Sequence, residues 1–528
     1  MYNKYVTVNT TDLPGAIRAG WTPMYSMYDP TRGQLPYFRN VVSPSLENSH
    51  HCSWSAGDVT GRSLYALLES QEALNEPVCM SYVEILKKWV YKVLDNDVHL
   101  AACMDPNTLE LMNQYDVHTL RQTMFSLNAI YKLCKDEKAL ALAQKHIEAI
   151  DRYYDFENCC WKEEQFTKET GGRLVNCVSP VDNGLFFTAT VGRYANALVK
   201  LYRSSGLQCA LDQAIRIKET GLKHALPANG NYIFDYMGDH VHSTTSTVAA
   251  MAQLGSLTND KALLDWVEVF MENGMKTIAL DFGWCAENIY RDDWVGELNN
   301  TADILETCLT LGRMGKIQYY AQAEKIVRAH MLPSQLLDTQ FIRNEDNPGN
   351  DSLYHLPERM RGSFGFACPF GHEDHPEAEI SFNWDIIGGA ISGLCLALKH
   401  SVMEVNGFTS INLLFDCDND LITFESPYTH DGHAAIIAKK NAPIRLRVSK
   451  DFDEISFQCG ASVSAVKTEE WIYFFNVQAG DKIELTMPMK TYEKDYTFRN
   501  RLLRTKWRGE SIVGMSSTGK RLCYFPEI

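Results

Sequence analysis

The chain has 528 residues, 45% of them hydrophobic and 22% charged, with a formal net charge of −16. That length exceeds one ordinary domain, the acidic balance without a long Lys/Arg stripe argues against a nucleic-acid partner, and no apolar run approaches the roughly 20 residues that span a bilayer. Fifteen scattered cysteines and a polar opening, MYNKYVTVNTTDLPG, with no charged-then-apolar leader, read as a reduced cytoplasmic protein with mostly buried thiols.

From about residue 58 to 400 the pattern is helical and recurs in pairs. SLYALLESQEAL precedes MSYVEILKKWVYKVL, and LRQTMFSLNAIYKL precedes KALALAQKHIEAI. The series continues with LFFTATVGRYANALVKLYRSSG and ALDQAIRIKETGLKHAL, then STVAAMAQLGSLTND and KALLDWVEVFMENGMKTIA. ILETCLTLGRMG with YYAQAEKIVRAHML follows, and WDIIGGAISGLCLALKHSV closes the set. Apolar residues three and four apart give each the stripe of a packed helix. The first helices of the pairs start near residues 63, 120, 186, 244, 302 and 384. They are rich in Ala, Gly, Ser and Thr, whereas their partners carry Lys and Glu. This asymmetry suits a tight inner ring inside an outer ring, and predicts an (α/α)6-barrel catalytic domain over residues 1–404, with long loops at one mouth carrying function.

The pattern then changes. INLLFD, LITFES, HAAIIAKK, IRLRVS, EISFQCG, EWIYFFNV and KIELTMPM are short β-branched and aromatic runs punctuated by turn residues. They predict an antiparallel β-sandwich over residues 405–528. The loop 333–383, long for a compact domain, is a candidate functional segment.

Chemistry concentrates in GWCAENIYRDDWVGELNNTADILETCLTLGRMG and FGFACPFGHEDHPE. Glu306, Cys308 and Cys368 form a soft-ligand set of the kind that selects zinc, with Glu297 as a spare carboxylate able to act as general acid and base. A buried structural thiol beside a capping carboxylate is the competing reading. His372 and His375 follow Cys368 at tolerable ligand spacing, and His372 could complete a tetrahedron; solvated loop histidines explain them equally. Asp292 and Asp293 compete with Glu297 for the acid/base role. His240 and His242, in MGDHVHSTT, open an inner helix and so face the same mouth, where they could bind sugar hydroxyls or transfer protons. Asp58 opens the first inner helix as a substrate-binding group or an N-cap. The vicinal Cys159-Cys160 reads as structural.

These residues bring a family into view. The chain resembles glycoside hydrolase family 127, the β-L-arabinofuranosidase-like proteins, with a degenerate Cys-Cys motif. Gly296-Glu297 followed by Glu306-Thr307-Cys308 is similar to that family's acid/base and metal segment, and Ala367-Cys368-Pro369 to its Cys-Cys-Pro motif. Asp239-His240-Val241-His242 is similar to its Gly-His-Ala-Val-Arg helix start, and IRLRVS with QAGDKIELTMPM to its β-sandwich. The resemblance implies a retaining glycosidase acting on an oligosaccharide or glycoside. Zinc would be held by Glu306, Cys308 and Cys368, Cys368 would be the thiolate nucleophile, and Glu297 the acid/base. Ala367 stands where the family has a second cysteine, so one ligand is missing.

Three rival functions use the same barrel, one of them a glycosidase of different mechanism or an unsaturated uronyl hydrolase with an Asp such as Asp293 or Asp58 as acid. A sugar epimerase would employ His240, His242 and His372 as acid and base, although the C-terminal sandwich counts against it. A non-catalytic glycan-binding relative is the third. The sequence leaves the sugar, its linkage and homo-oligomerisation open.

Overall fold

Small side chains let the inner helices approach closely, and the fold follows from that. The computed structural model describes residues 3–43, 46–176, 187–289, 294–346, 353–372, 380–516, 519 and 521–528. Helices are labelled α1 (Leu13–Ser26), α2 (Ser55–Leu74), α3 (Met80–Leu94), α4 (Leu120–Cys134), α5 (Glu137–Tyr153), α6 (Arg193–Ser205) and α7 (Gln208–His224). They continue with α8 (Val241–Thr258), α9 (Lys261–Glu272), α10 (Leu298–Arg313), α11 (Gln318–Ile326) and α12 (Trp384–Ser401). The even-numbered helices pack each against the next, and α12 closes the ring on α2. The odd-numbered helices lie outside them, α1 against α12 and the rest each against the inner helix before it. The expected (α/α)6 barrel is therefore the observed one. The N-terminal helix α1, hidden in the sequence by its polar flank and Pro23, supplies the sixth outer helix.

Side-chain N-caps occur on three of the six outer helices and on none of the inner ones. Outer helices α1, α5 and α9 are capped by Asp12, Asp136 and Asp260, whose carboxylates accept backbone N–H bonds. The N-caps of inner helices α2, α4, α8, α10 and α12 make no side-chain cap bond. All of these inner N-termini face one mouth, so their unsatisfied amides and dipole ends make that mouth electropositive.

After α12 the chain forms strands β1 (Val402–Val405), β2 (Phe408–Ile411), β3 (Cys417–Asp418), β4 (Ile422–Glu425), β5 (His433–Ala438), β6 (Ile444–Arg447), β7 (Ser456–Cys459), β8 (Ser464–Lys467), β9 (Trp471–Phe475) and β10 (Lys482–Thr486). One sheet has the order β1-β2-β6-β9-β8 and the other β3-β4-β5-β10-β7. The pairs are antiparallel except β2 with β6, which run parallel. Ile411, Phe424, Ile436, Leu446, Phe474 and Ile483 fill a core between them. A further sheet, β11 (Thr491–Phe498), β12 (Arg501–Arg508) and β13 (Ser511–Met515), belongs instead to the barrel's core. Phe498 packs on Trp284 with ring centroids 5.0 Å apart, and Tyr496 on Phe282 at 5.3 Å. The terminal segment also returns to the barrel, where the Tyr524 amide donates to Phe370 O at 2.8 Å. These contacts set the described residues of the C-terminal segment against the loops that carry Glu297. No described helix is long and apolar enough to cross a membrane.

Candidate active site

The electropositive mouth opens into a cavity of about 430 Å³. It is lined by Asp58 from α2, His118 and Gln122 at the start of α4, Arg193 from α6, His240 and His242 from α8, Glu297 and Asp385, with Trp54 and Phe366 as aromatic walls. Each group stands at or beside the first turn of an inner helix, so one repeated structural position supplies the site. Glu297 is the N-cap residue of α10, and Asp385 is the second residue of α12.

Two glycines set the geometry. A side chain at Gly296 would run into Trp284 and the carbonyls of Cys285 and Ala367, and the Gly296 amide donates to Ala367 O at 3.0 Å. A side chain at Gly389 would occupy the place of the Asn299 amide oxygen. The first contact delivers Glu297 to the cavity floor, and the second lets α12 approach Asn299.

Hydrogen bonds then fix the protons. Arg62 and Arg121 both donate to His242 Nε2, at 3.1 and 2.7 Å, so that nitrogen is an acceptor. The ring proton therefore sits on Nδ1, which faces Glu297 Oε1 at 3.4 Å. Asn299 Nδ2 donates to the same Oε1 at 2.9 Å and to Asp385 Oδ2 at 2.8 Å. Asn299 is itself oriented by Arg62, which donates to its Oδ1 at 3.1 Å. Arg121 also pairs with Asp303 at 3.2 Å. On the other wall Arg193 donates to His118 Nε2 at 2.9 Å, and the His118 and His240 rings lie 5.4 Å apart.

Burial and neighbouring charge dictate the ionisation. Burial, then the charge of Asp385, push the Glu297 carboxyl up to about 8, so it keeps its proton at neutral pH. Asp58 rises to about 7 for the same two reasons. His240 falls to about 3 and His242 well below its ordinary value, first through burial and then through Arg193 and Arg121. The cavity thus holds a protonated carboxylic acid beside neutral imidazoles.

The residues expected from the sequence divide sharply. Glu297, His240, His242 and Asp58 meet in this cavity. Asp58 lies in the first turn of α2 and makes no cap bond. The expected metal set is corrected. Glu306 lies nine residues past Glu297, roughly 13 Å along α10, and pairs with Lys200 at 2.8 Å and Asn196 at 3.0 Å. It lines a different cavity, at the C-terminal ends of the inner helices. Cys308, two residues on, faces away from Glu306 and lies near Tyr319 of α11, where burial pushes its thiol up. Cys368 is buried beside Tyr524, outside the cavity lining. His372, expected as a substrate-binding group, is buried 3.3 Å from the Tyr524 hydroxyl, outside that lining. Asp292, Asp293 and His375 lie outside the described residues. Cys159 is buried and Cys160 exposed, both free thiols.

Among the described residues, His240, His242 and Glu297 are the group that could offer three metal donors to one ion. The fit is poor. Both ring nitrogens of His242 are already engaged, Nε2 by two guanidiniums and Nδ1 by Glu297. A cation there would replace hydrogen bonds with repulsion from Arg62 and Arg121. The thiolate set that suits zinc is not assembled among the described residues.

The sequence did not single out Asp385, Arg62, Arg121, Arg193, His118 or Asn299. The available signal was positional: each falls near the start of an inner-helix pattern.

The chain matches no protein-family model and no curated protein sequence. Its structure is similar to that of the family 127 β-L-arabinofuranosidase from Geobacillus stearothermophilus T6, with a TM-score of 0.57 and 12% identity over 94% of this chain and 80% of that one. A second family 127 β-arabinofuranosidase gives a TM-score of 0.59 and 12% identity, covering 97% of this chain and 84% of that one. The cellobiose 2-epimerase from Bacillus thermoamylovorans B4167 gives 0.52 and 12% identity, over 73% of this chain and 98% of that one. At such identities the likeness is one of fold, and the resemblance read from the sequence holds at that level.

Proposed function

We propose that the chain is a glycoside hydrolase that removes an arabinofuranose-like or related sugar from an oligosaccharide or glycoside, with Glu297 as general acid. The observation that carries this reading is the Glu297 carboxyl itself. His242 and Asn299 both address Oε1, and among the described residues no hydrogen bond is made to Oε2. The proton therefore belongs on Oε2, where it can pass to a leaving glycosidic oxygen, and the resulting carboxylate can later take a proton from water. Trp54 and Phe366 offer apolar faces to a sugar ring. The fold supports the choice of reaction, because both similar glycosidases match nearly the whole chain, C-terminal sheets included. The zinc-thiolate variant of that chemistry draws no support from the placement of Cys308 and Cys368.

A screen of aryl glycosides that includes L-arabinofuranosides, followed by product analysis, tests this. Release of the aryl alcohol with an intact sugar is expected. A second reading is sugar epimerisation, favoured by the neutral His118–His240 pair in the same cavity. It predicts uptake of solvent deuterium beside the sugar carbonyl without bond cleavage. That result would replace the hydrolase reading.

A further inference from the structure

Glycoside hydrolysis with an acid needs a second group, and the sequence offered only a thiol that lies outside the cavity. Asp58 and Asp385 fill that gap. They come from α2 and α12, which pack side by side, and both line the cavity. Both are at least nine-tenths buried, at 4% and 8% exposure. Each keeps a buried Oδ1 without a hydrogen-bond partner among the described residues. A buried carboxylate oxygen left open costs desolvation energy unless something else meets it, and the cavity is what these two face.

The two are not equivalent. Asp385 accepts from Asn299, whose orientation is set by Arg62, and it occupies the first turn of α12, where amides have no side-chain cap. Burial raises the Asp385 carboxyl, and Arg62, the Asn299 hydrogen bond and Arg193 oppose that rise in favour of the ionised form. Asp58 makes no side-chain hydrogen bond among the described residues and rises to about 7, whereas Arg62 and Asn299 hold Asp385 back, so Asp58 is the member of the pair better suited to hold a proton. Because one Asn299 nitrogen bridges both groups, Asp385 Oδ2 and Glu297 Oε1 are no farther apart than its two bonds allow. That keeps these two oxygens within about 6 Å of each other, a closeness compatible with the paired carboxyl groups of a retaining glycosidase.

Resting on the hydrolase reading above, we propose that Asp385 is the catalytic nucleophile, with Asn299 and Asp58 as its positioning residues. An Asp385 oxygen forms a bond to the anomeric carbon while the glycosidic C–O bond breaks, and Glu297 gives its proton to the departing oxygen. Water then bonds to the anomeric carbon and returns a proton to Glu297. The ester bond breaks and its electron pair returns to Asp385. Nothing is oxidised or reduced, and the sugar leaves with its original anomeric configuration.

The test uses the full chain and whichever aryl glycoside the screen finds cleaved. Proton NMR of early product should show the retained anomer. Asp385→Ala and the isosteric Asp385→Asn should each lose ~10³-fold or more in turnover, with melting temperatures reported alongside. Azide should restore turnover to Asp385→Ala and yield a glycosyl azide of inverted configuration. Asp58→Asn should keep the retained anomer and shift the pH profile. Inverted product from the unaltered chain overturns the proposal, as does an Asp385→Asn protein within ~10-fold of it. Either result leaves the hydrolase reading standing. A folded, unaltered chain that cleaves no glycoside overturns that reading, and this one with it.

Discussion

His242 turns Nδ1 toward Glu297 Oε1 at 3.4 Å, and that contact assigns the imidazole proton. With Arg62 and Arg121 donating to Nε2, a protonated ring would set three cations against one another. His242 should therefore remain neutral with its proton on Nδ1 throughout the range where the protein is folded. Nitrogen-15 NMR of labelled histidine checks this, since the two ring nitrogens of one tautomer differ widely in shift. A His242 signal that titrates near 6.5 would contradict the network.

Glu297 should leave a mark on stability that does not depend on activity. Its folded-state pKa, about 8, lies above the ordinary value of 4.5. A raised carboxyl contributes stability below the unfolded pKa and loses it as pH rises through the folded one. Replacing it by glutamine removes that loss. Melting curves of Glu297→Gln and the unaltered protein should diverge from about pH 5 to about pH 8 in favour of the variant, by at least the ~1.4 kcal/mol that one pKa unit represents. Parallel curves would place Glu297 in an ordinary carboxylate environment.

The barrel was legible because its signal is periodic and repeated. Inner helices such as α8, with Ser, Thr, Ala and Gly throughout, announce close packing in sequence alone. Glu297, His240 and Asp58 were found for a related reason, since helix starts can be located and all inner starts share a mouth. Glu306 is close to Glu297 in sequence but not in space. A helix carries the chain roughly 13 Å in nine residues, from one end of the barrel to the other. Asp385 was invisible because its meaning comes from Asn299 and Asp58, which are remote in sequence and joined only by ring closure. The placement of β11–β13 against the barrel was hidden similarly: their alternating pattern demands a buried face without saying whose.

The cysteines supply a direct check on the zinc-thiolate alternative. Neither Cys308 nor Cys368 lines the cavity, and Cys308 sits where burial disfavours a thiolate. Cys368→Ser and Cys308→Ala should each keep kcat within a few-fold, with any loss appearing as reduced stability. Elemental analysis should give the same metal content for both variants as for the unaltered protein. Loss of zinc together with activity in either would restore the thiolate scheme.

The junction between barrel and sandwich depends on a buried charge network. Arg447 of β6 reaches Glu324 of α11 and pairs with Glu510 at 3.1 Å, while Arg328 donates to Glu324 at 2.9 Å. The Arg328 guanidinium lies 3.8 Å and 3.7 Å from the ring centroids of Phe415 and Tyr428. Arg447→Ala would strand the buried Glu510 and leave Glu324 with Arg328 as its one remaining ion-pair partner among the described residues, and should cost ~3–5 kcal/mol. Urea denaturation measures it, and a separate early transition for the sandwich is the expected form. A change below 1 kcal/mol would mean that the network is solvated.

Glu297→Gln carries the sharpest kinetic expectation. Glutamine keeps the size of the side chain and its contact with Asn299 but has no proton to give. Glycosides with poor, alkoxide-like leaving groups should then lose turnover by ~10²–10⁴-fold. Activated aryl glycosides, whose leaving oxygen needs little protonation, should lose far less in the bond-breaking step. The unaltered enzyme should also lose kcat/KM as pH rises through about 8, because the acid must carry its proton in the free enzyme. That limb should vanish in the variant. Equal losses for good and poor leaving groups would show that Glu297 positions the substrate rather than protonating it, and the acid would then have to be sought in Asp58, the other carboxyl of the cavity that holds a proton near neutral pH.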